Sequence, residues 1–305
     1  MKRFKTLPTV FIIAAGSLWG LMGIFVKWFD GFGISAMPMT FLRALVTAVA
    51  MMLFMLIKHR NKLKIRLKDL WMFVGTGLCS IVFFNYCYFQ TIMVTSLSVA
   101  AILLYTAPIF VMLMSAVLFR EKLTARKLTA LALAFGGCVL VTGVVTGGGC
   151  SFGAILTGLG AGLGYALYSI FSRYALRRYH AYTVTVYTFV IACIGSIPFV
   201  DLRHIAGVMA VPEYASAVVV MGLVVSVLPY ILYTSGLKHM ETGHASIMAS
   251  VEPVVATLIG IILFHETMTA FTAIGAILVV AAIVVLSLPA RACAVQQEIK
   301  KKIKG

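Results

Sequence analysis

The sequence predicts an all-α polytopic membrane protein with ten transmembrane helices, arranged as two inverted five-helix repeats. The first observation behind this is composition, because 62% of the 305 residues are hydrophobic and only 11% are charged. Soluble chains are about 45–50% apolar and about 25% charged, so lipid must replace water around much of this chain. The second observation is an uneven distribution of Lys and Arg, and the third is an internal repeat.

Helices are predicted because only helices and closed β-barrels satisfy every backbone polar group within a bilayer. Barrel strands alternate lipid-facing and lumen-facing residues, whereas segments such as 103–119 and 279–288 are apolar on every face. A span needs about 20 mostly apolar residues, and breaks at charges, glycines and prolines define ten of them. The predicted spans are 8–26, 34–57, 70–90, 96–119, 125–145, 153–171, 181–200, 214–236, 243–264 and 269–288.

The basic residues predict the orientation, because loops rich in Lys and Arg stay in the cytoplasm. Placing both termini inside puts all but three of the 25 Lys and Arg residues in cytoplasmic segments. The exceptions are Lys27 and Arg203 in outer loops and Arg43 within a span. We therefore expect a multi-pass protein of the cell (inner) membrane with both termini cytoplasmic. The same rule explains the net charge of +16 without the nucleic-acid partner that a basic excess often indicates.

The chain repeats itself at an offset of 145 residues, the kind of internal similarity that identifies a duplicated fold. The matched positions include Tyr88 with Tyr233, Pro108 with Pro253, Glu121 with Glu266 and Thr124 with Thr269. We interpret the glutamates and threonines as interfacial charges and helix caps.

Each half contains five predicted helices, an odd number, so the two copies must cross the bilayer in opposite directions. The predicted organisation is a first repeat at 1–145, an outer linker at 146–152, a second repeat at 153–289 and a basic cytoplasmic tail at 290–305. Inverted repeats of this kind are typical of transporters that bind substrate near the bilayer midplane.

Small residues in the first helix of each half predict close helix packing. Gly16 and Gly20 have small-xxx-small spacing, and Gly160 and Gly164 repeat that spacing at an offset of 144 residues. Such pairs allow the backbones of neighbouring membrane helices to approach closely.

The residues that carry a family resemblance lie in both halves. They are Gly16-Ser-Leu-Trp-Gly20, Arg43, Pro108-Ile-Phe with Glu121-Lys-Leu-Thr124, and Glu252-Pro253-Val with Glu266-Thr-Met-Thr269. With these motifs the chain resembles the drug/metabolite transporter superfamily, specifically its EamA-type members. The resemblance implies an exporter or permease of small metabolites, such as amino acids, that works by alternating access. It also implies a central cavity lined by helices one to four and six to nine, with helices five and ten at the periphery.

Two ionisable residues are predicted to lie deep within spans, where charge is costly and usually functional. Arg43 and Glu252 each lie nine residues from the end of a predicted helix, so both are about 13 Å deep at 1.5 Å per residue. Structural alternatives are that Arg43 tethers helices and that Glu252 accepts donors beside Pro253. The repeat partner of Glu252 is Ala107, and a purely architectural acid should have appeared in both halves.

We expect Arg43 and Glu252 to face one cavity. There Arg43 would bind a substrate carboxylate bidentately, and Glu252 would bind an amine or a proton. Further candidates for substrate binding are Trp19, Asn85, Tyr86, Tyr105, Tyr165 and Tyr168. The alternative for each aromatic residue is packing or a place in an interfacial belt.

The alternative class is an intramembrane enzyme, such as a lipid-modifying transferase. No His/Asp cluster, Gly-x-Ser-x-Gly or His-Glu-x-x-His motif is present in the sequence, so we expect no catalytic residue, metal or cofactor. The six cysteines lack metal-ligand spacing and are interpreted as packing residues. The expected partners are a small-molecule substrate, the lipid bilayer and a coupling proton, and the sequence leaves monomer and homodimer open.

Overall fold

The computed structural model describes residues 3–30, 34–95, 97–141, 151–265 and 268–287, and all regular elements in this part of the chain are helical. Nine of these helices are long and apolar enough to cross a membrane, and a tenth, Ala125–Val141, has 17 residues. The prediction of an all-helical membrane protein is thus confirmed. The predicted tail, Glu266, and residues 142–150 of the fifth span and linker lie outside the described residues.

The membrane helices are numbered α1 to α10 in chain order. They are Leu7–Val26 (α1), Ala36–Lys58 (α2), Leu67–Val94 (α3), Val99–Phe119 (α4), Ala125–Val141 (α5), Phe152–Leu176 (α6), Ala181–Phe199 (α7), Pro212–Leu237 (α8), Thr242–Phe264 (α9) and Ala270–Ser287 (α10). We call the end of the bundle that carries loops 59–66, 120–124, 177–180 and 238–241 the basic end.

Two features differ from the predicted spans. Helix α6 continues to Leu176, five residues beyond its predicted end. The helix can include Arg173 because Nη1 of this side chain donates a hydrogen bond to the Leu237 carbonyl of α8 at 2.6 Å. A short helix, Leu202–Ala210, precedes α8 and was not predicted. The Asp201 side chain caps it by accepting a hydrogen bond from the Arg203 N–H at 2.9 Å.

Helices α4 and α9 are both interrupted near their middle, at positions related by the 145-residue repeat. Helix α4 breaks between Leu104 and Ala107, and α9 breaks between Ala249 and Glu252. Each break is followed by a proline near the start of the second segment, where the missing N–H has no helical partner to lose.

The far ends of α4 and α9 repeat each other as well. Arg120 and His265 adopt left-handed backbone conformations with φ of 56° and 54°, and their N–H groups bond the carbonyls of Ser115 and Gly260. A left-handed residue at this position satisfies carbonyls that a helix end leaves free. Two helices from opposite halves therefore share the same break and the same cap.

The two halves exchange their first helices. Helix α1 packs against α8 and α9 of the second half, while α6 packs against α3 and α4 of the first half. Helices α2 and α7 pair with each other, and so do α5 and α10. The space between the halves is consequently bounded by α1, α3, α4, α6, α8 and α9.

Glycine contacts correct the predicted alignment of α1 with α6. A Cβ on Gly16 would lie 2.8 Å from the Ala249 carbonyl oxygen, and one on Gly162 would lie 2.8 Å from the Leu103 carbonyl oxygen. Both glycines thus lie against the first segment of a broken helix. Gly160, the predicted counterpart of Gly16, instead faces Cys87 on α3. The structural offset between α1 and α6 is therefore 146 residues, not 144.

We predict that Gly20→Ala destabilises the protein while Gly23→Ala on the same span does not. A Cβ on Gly20 would lie 2.8 Å from the Glu252 carbonyl oxygen and 2.9 Å from Val255 Cβ, whereas one on Gly23 would meet nothing within 4 Å. Overpacking of this kind costs about 1–3 kcal/mol. The midpoint of thermal unfolding in detergent should fall by several degrees for Gly20→Ala only, and equal midpoints for both variants would contradict the packing described.

Candidate substrate-binding site

Five aromatic side chains from both halves meet between the halves, and we call them the aromatic cluster: Trp19, Tyr165, Tyr168, Tyr230 and Tyr233. The ring of Trp19 lies 6.2 Å from that of Tyr165, 5.1 Å from that of Tyr230 and 5.3 Å from that of Tyr233. Tyr168 completes the group at 5.0 Å from Tyr230. Several of these pairs have the edge-to-face geometry that aromatic quadrupoles favour.

The aromatic cluster surrounds a small cavity. Ser80, Ile81, Phe84 and Ser169 complete its lining, and its volume is about 10 Å³. That is the space of a single water molecule, whereas small-molecule pockets usually measure about 300–1,000 Å³. The bundle is therefore closed around its own aromatic side chains, and a ligand can enter only after the helices separate.

Glu252 lies beside the aromatic cluster. It is the first residue of the second segment of α9, and its Oε2 accepts a hydrogen bond from the Tyr165 hydroxyl at 3.0 Å. The N-terminus of a helix carries unsatisfied N–H groups and a partial positive charge, which favour a carboxylate there. The break in α9 thus creates the local environment in which an acid can exist at this depth.

Arg43 is only 7% exposed, yet it has little to compensate its charge. Its Nη1 lies 4.0 Å from the Met22 sulfur, and its Nε has no hydrogen-bond partner among the described residues. Glu252 is close enough for an electrostatic interaction with Arg43, but within the described chain no ion pair at 4.0 Å or less joins them. Tyr230, in contact with Trp19, also interacts electrostatically with Arg43.

The indole Nε1 of Trp19 is a second buried donor with no acceptor in the described part of the chain. Buried donors normally find an acceptor, and leaving one unpaired is costly. Arg43 and Trp19 therefore provide donors, and Glu252 an acceptor, around one group of rings. This arrangement suits a ligand with a carboxylate at one end and an amine at the other.

Of the three remaining predicted binding residues, two lie apart from this group, and Tyr105 is close enough to Glu252 for an electrostatic interaction. Tyr86 is 41% exposed and its ring contacts Phe199 at 5.6 Å, so it lies outside the aromatic cluster. Asn85 donates to the Ile81 carbonyl of its own helix at 2.7 Å. Tyr105, at the break in α4, packs beside Cys138 and Val254.

Tyr230 was missed by the sequence prediction, although the sequence contained a signal for it. The 145-residue offset maps Asn85 onto Tyr230, and it maps Tyr88 onto Tyr233. The α1–α6 offset of 146 residues likewise pairs Trp19 with Tyr165. Within the aromatic cluster Trp19 and Tyr165 thus occupy repeat-related positions, whereas Tyr230 and Tyr233 correspond to residues of α3 outside it.

Within the described residues, no three His, Cys, Asp or Glu side chains lie together as a group that could hold a metal ion. The four described cysteines, Cys79, Cys87, Cys138 and Cys193, are free thiols. The predicted threonine caps are present. Thr124 Oγ1 accepts from the Lys127 N–H at 3.3 Å, and Thr269 Oγ1 accepts from the Thr272 N–H at 3.1 Å.

The EamA-like transporter family matches residues 6–143 of this chain and again residues 152–288. The chain belongs to the EamA-like transporter family. It is therefore a multi-pass membrane transporter of small molecules, as its motifs indicated.

Relatives of this EamA-like chain match it over nearly the full length of both chains. An uncharacterized transporter of Archaeoglobus fulgidus is 27% identical over 274 residues, which cover 90% of this chain and 94% of the relative. The uncharacterized transporter YwfM of Bacillus subtilis (strain 168) is 22% identical, with 92% and 93% covered. One solved crystal structure aligns with a TM-score of 0.78 at 20% identity, covering 94% of this chain and 98% of that one, and shows the same fold.

We predict that Arg43→Met leaves the thermal unfolding midpoint unchanged or raises it. Arg43 lacks a strong partner, and an uncompensated charge in the membrane interior costs free energy. Arg173→Met is the matched control, because it removes the 2.6 Å hydrogen bond to the Leu237 carbonyl. Losing a charged hydrogen bond costs about 1.5–3 kcal/mol, so the control should unfold several degrees lower. Equal losses in both variants would make Arg43 a structural tether.

Proposed function

We propose that this protein is a secondary transporter, an exporter or permease, of small zwitterionic metabolites such as amino acids, and that it works by alternating access. The observation that carries the proposal is the placement of Arg43 and Glu252 around one aromatic cluster between inverted halves. Arg43 is a buried guanidinium that forms no ion pair of 4.0 Å or less among the described residues, an arrangement that a bound carboxylate would complete.

Each group has a distinct role in this proposal. Arg43 binds the substrate carboxylate, Glu252 binds its amine or a proton, and Trp19 with Tyr165 contacts its side chain. Aromatic faces also attract a cationic amine. The substrate leaves chemically unchanged, since the acid at this site contacts a tyrosine hydroxyl rather than an activated nucleophile.

Contacts between the halves support alternating access, and we call one group of them the basic-end latch. The carboxylate of Glu121 accepts hydrogen bonds from the N–H groups of Thr242 at 2.7 Å and Gly243 at 3.1 Å. Lys127, which is 2% exposed, lies 2.6 Å from Glu241 Oε2. Glu121 and Lys127 belong to the first half and their partners to the second, so the latch must separate before the cavity can open at this end.

A second contact between the halves lies at the same end. Asp69 at the start of α3 forms an ion pair with Arg178, and the Tyr179 hydroxyl donates to Asp69 Oδ2 at 2.6 Å. The positive-inside rule supports a cytoplasmic location for the basic end, and the proposal places the protein in the cell membrane. On this basis the structure represents a state closed toward the cytoplasm.

Proton coupling gives the first test of the site. Glu252→Gln should abolish accumulation of an amino acid driven by a pH gradient in proteoliposomes, because the amide cannot bind and release a proton. Exchange of substrate without a gradient should persist, since the amide retains the size of the acid. Glu213→Gln, which changes an exposed acid at the start of α8, is the matched control and should behave as wild type. Unchanged pH dependence in Glu252→Gln would remove Glu252 from coupling.

Carboxylate recognition gives the second test. Arg43→Lys should weaken uptake of an amino acid by about tenfold or more, because an ammonium cannot reproduce the planar bidentate fork. Uptake of the corresponding amino-acid amide, which lacks the carboxylate, should change by less than about threefold. A tenfold change corresponds to about 1.4 kcal/mol, so the two outcomes are easily distinguished. Competition assays with both ligands in wild type and variant make the comparison. If both ligands lose equally, Arg43 does not bind the carboxylate.

A further inference from the structure

A surface groove of about 600 Å³ at the basic end is far larger than the central cavity and is not explained by substrate binding. Both halves line it, with Arg120 and Lys122 from the first half and Arg173, Arg177 and Lys238 from the second. These five cations lie at or near the ends of α4, α6 and α8.

The two acids in the groove are already engaged. Glu121 accepts the N–H groups of Thr242 and Gly243, and Glu241 lies 2.6 Å from Lys127. Burial by itself raises the pKa of Glu241, but the hydrogen bond and charge of Lys127 outweigh it and hold that pKa below its usual range. Lys127 thus compensates one of the two negative charges, and the other is outnumbered by the five cations of the groove.

The cations themselves lack acidic partners. Within the described chain no ion pair involves Arg120, Lys122 or Lys238. Arg177 stacks over the Phe119 ring at 5.2 Å, a contact that fixes the guanidinium without compensating its charge. The groove thus has more positive charge than its own acids balance.

The groove also has an apolar part beside its cations. Phe119 and Leu176 line the groove at the ends of α4 and α6. Val117, which lies two residues before Phe119 on α4, is 80% exposed, and Leu118 is 46% exposed. A ligand with a charged group in the groove could therefore lay hydrocarbon along α4.

We propose that this groove binds the phosphate group of an anionic phospholipid headgroup, with the acyl chains along α4. Basic pockets between membrane helices are suited to anionic headgroups. The apolar wall favours a lipid over a soluble phosphate, which would use the cations alone. Because the groove takes cations from both halves beside the basic-end latch, the bound headgroup stabilises the closed state of that end. This binding does not depend on which metabolite is transported.

Binding to the full-length protein tests the proposal. Phosphatidylglycerol is titrated into protein in neutral detergent and bound lipid is counted by native mass spectrometry, with phosphatidylcholine of the same chains in parallel. Lys122→Gln/Lys238→Gln should weaken phosphatidylglycerol by at least about tenfold and leave phosphatidylcholine unchanged. Lys58→Gln/Lys68→Gln removes the same charge from exposed residues outside the groove and should change affinity less than about twofold.

The outcomes separate the site from a general charge effect. Equal weakening in both double variants would overturn the site, because the lysines would then act only through net charge. A competition arm with inorganic phosphate separates the two sources of the anion. Displacement of phosphatidylglycerol by an equal concentration of inorganic phosphate would overturn the lipid assignment. All four lysines are exposed, so thermal unfolding midpoints near wild type will show that the variants are folded.

Discussion

A helix that breaks inside a bilayer exposes backbone N–H and C=O groups where no water can satisfy them, and within the described residues α4 and α9 break in this way at repeat-related positions. In α9 the break is followed at once by Glu252, and in α4 by Ala107. Neighbouring backbone covers each break, because Gly16 lies against α9 and Gly162 against α4. The exchange of first helices between the halves follows from this requirement, since each first helix shields the broken helix of the other half.

The duplication supplies the scaffold twice but the chemistry only once. Both halves contain the break, the proline and the left-handed cap, so these features belong to the fold. The acid at the break occurs only in the second half, and the aromatic partner of Trp19 on α6 is a tyrosine with a hydroxyl directed to that acid. Differences between repeat-related positions are therefore a better guide to substrate chemistry than the positions that the halves share.

Sequence patterns predicted the helices more successfully than the site, and the reason is rotation about the helix axis. Hydropathy determines whether a segment crosses the membrane, but a helix that is apolar all round gives no preferred face. Tyr86 and Tyr88 could not be ranked in this way, and the structure leaves Tyr86 41% exposed against Phe199. The end of α6 was misjudged for a related reason, because a charge at Arg173 suggests a boundary unless its carbonyl partner on α8 is known.

The closed cavity and the basic-end latch are connected by the position of α9. Thr242 and Gly243, whose N–H groups Glu121 holds, begin the helix that carries Glu252. A cavity of about 10 Å³ cannot admit a metabolite unless the helices around it separate, and movement of α9 away from α6 would break the contact between Tyr165 and Glu252. In the proposed cycle, opening at the basic end would expose Lys127 and Glu121 to water. Hydration of these two charges would then offset the loss of their contacts with the second half. In the proposed alternating-access cycle, movement of α9 would therefore expose Glu252 and release the basic-end latch together.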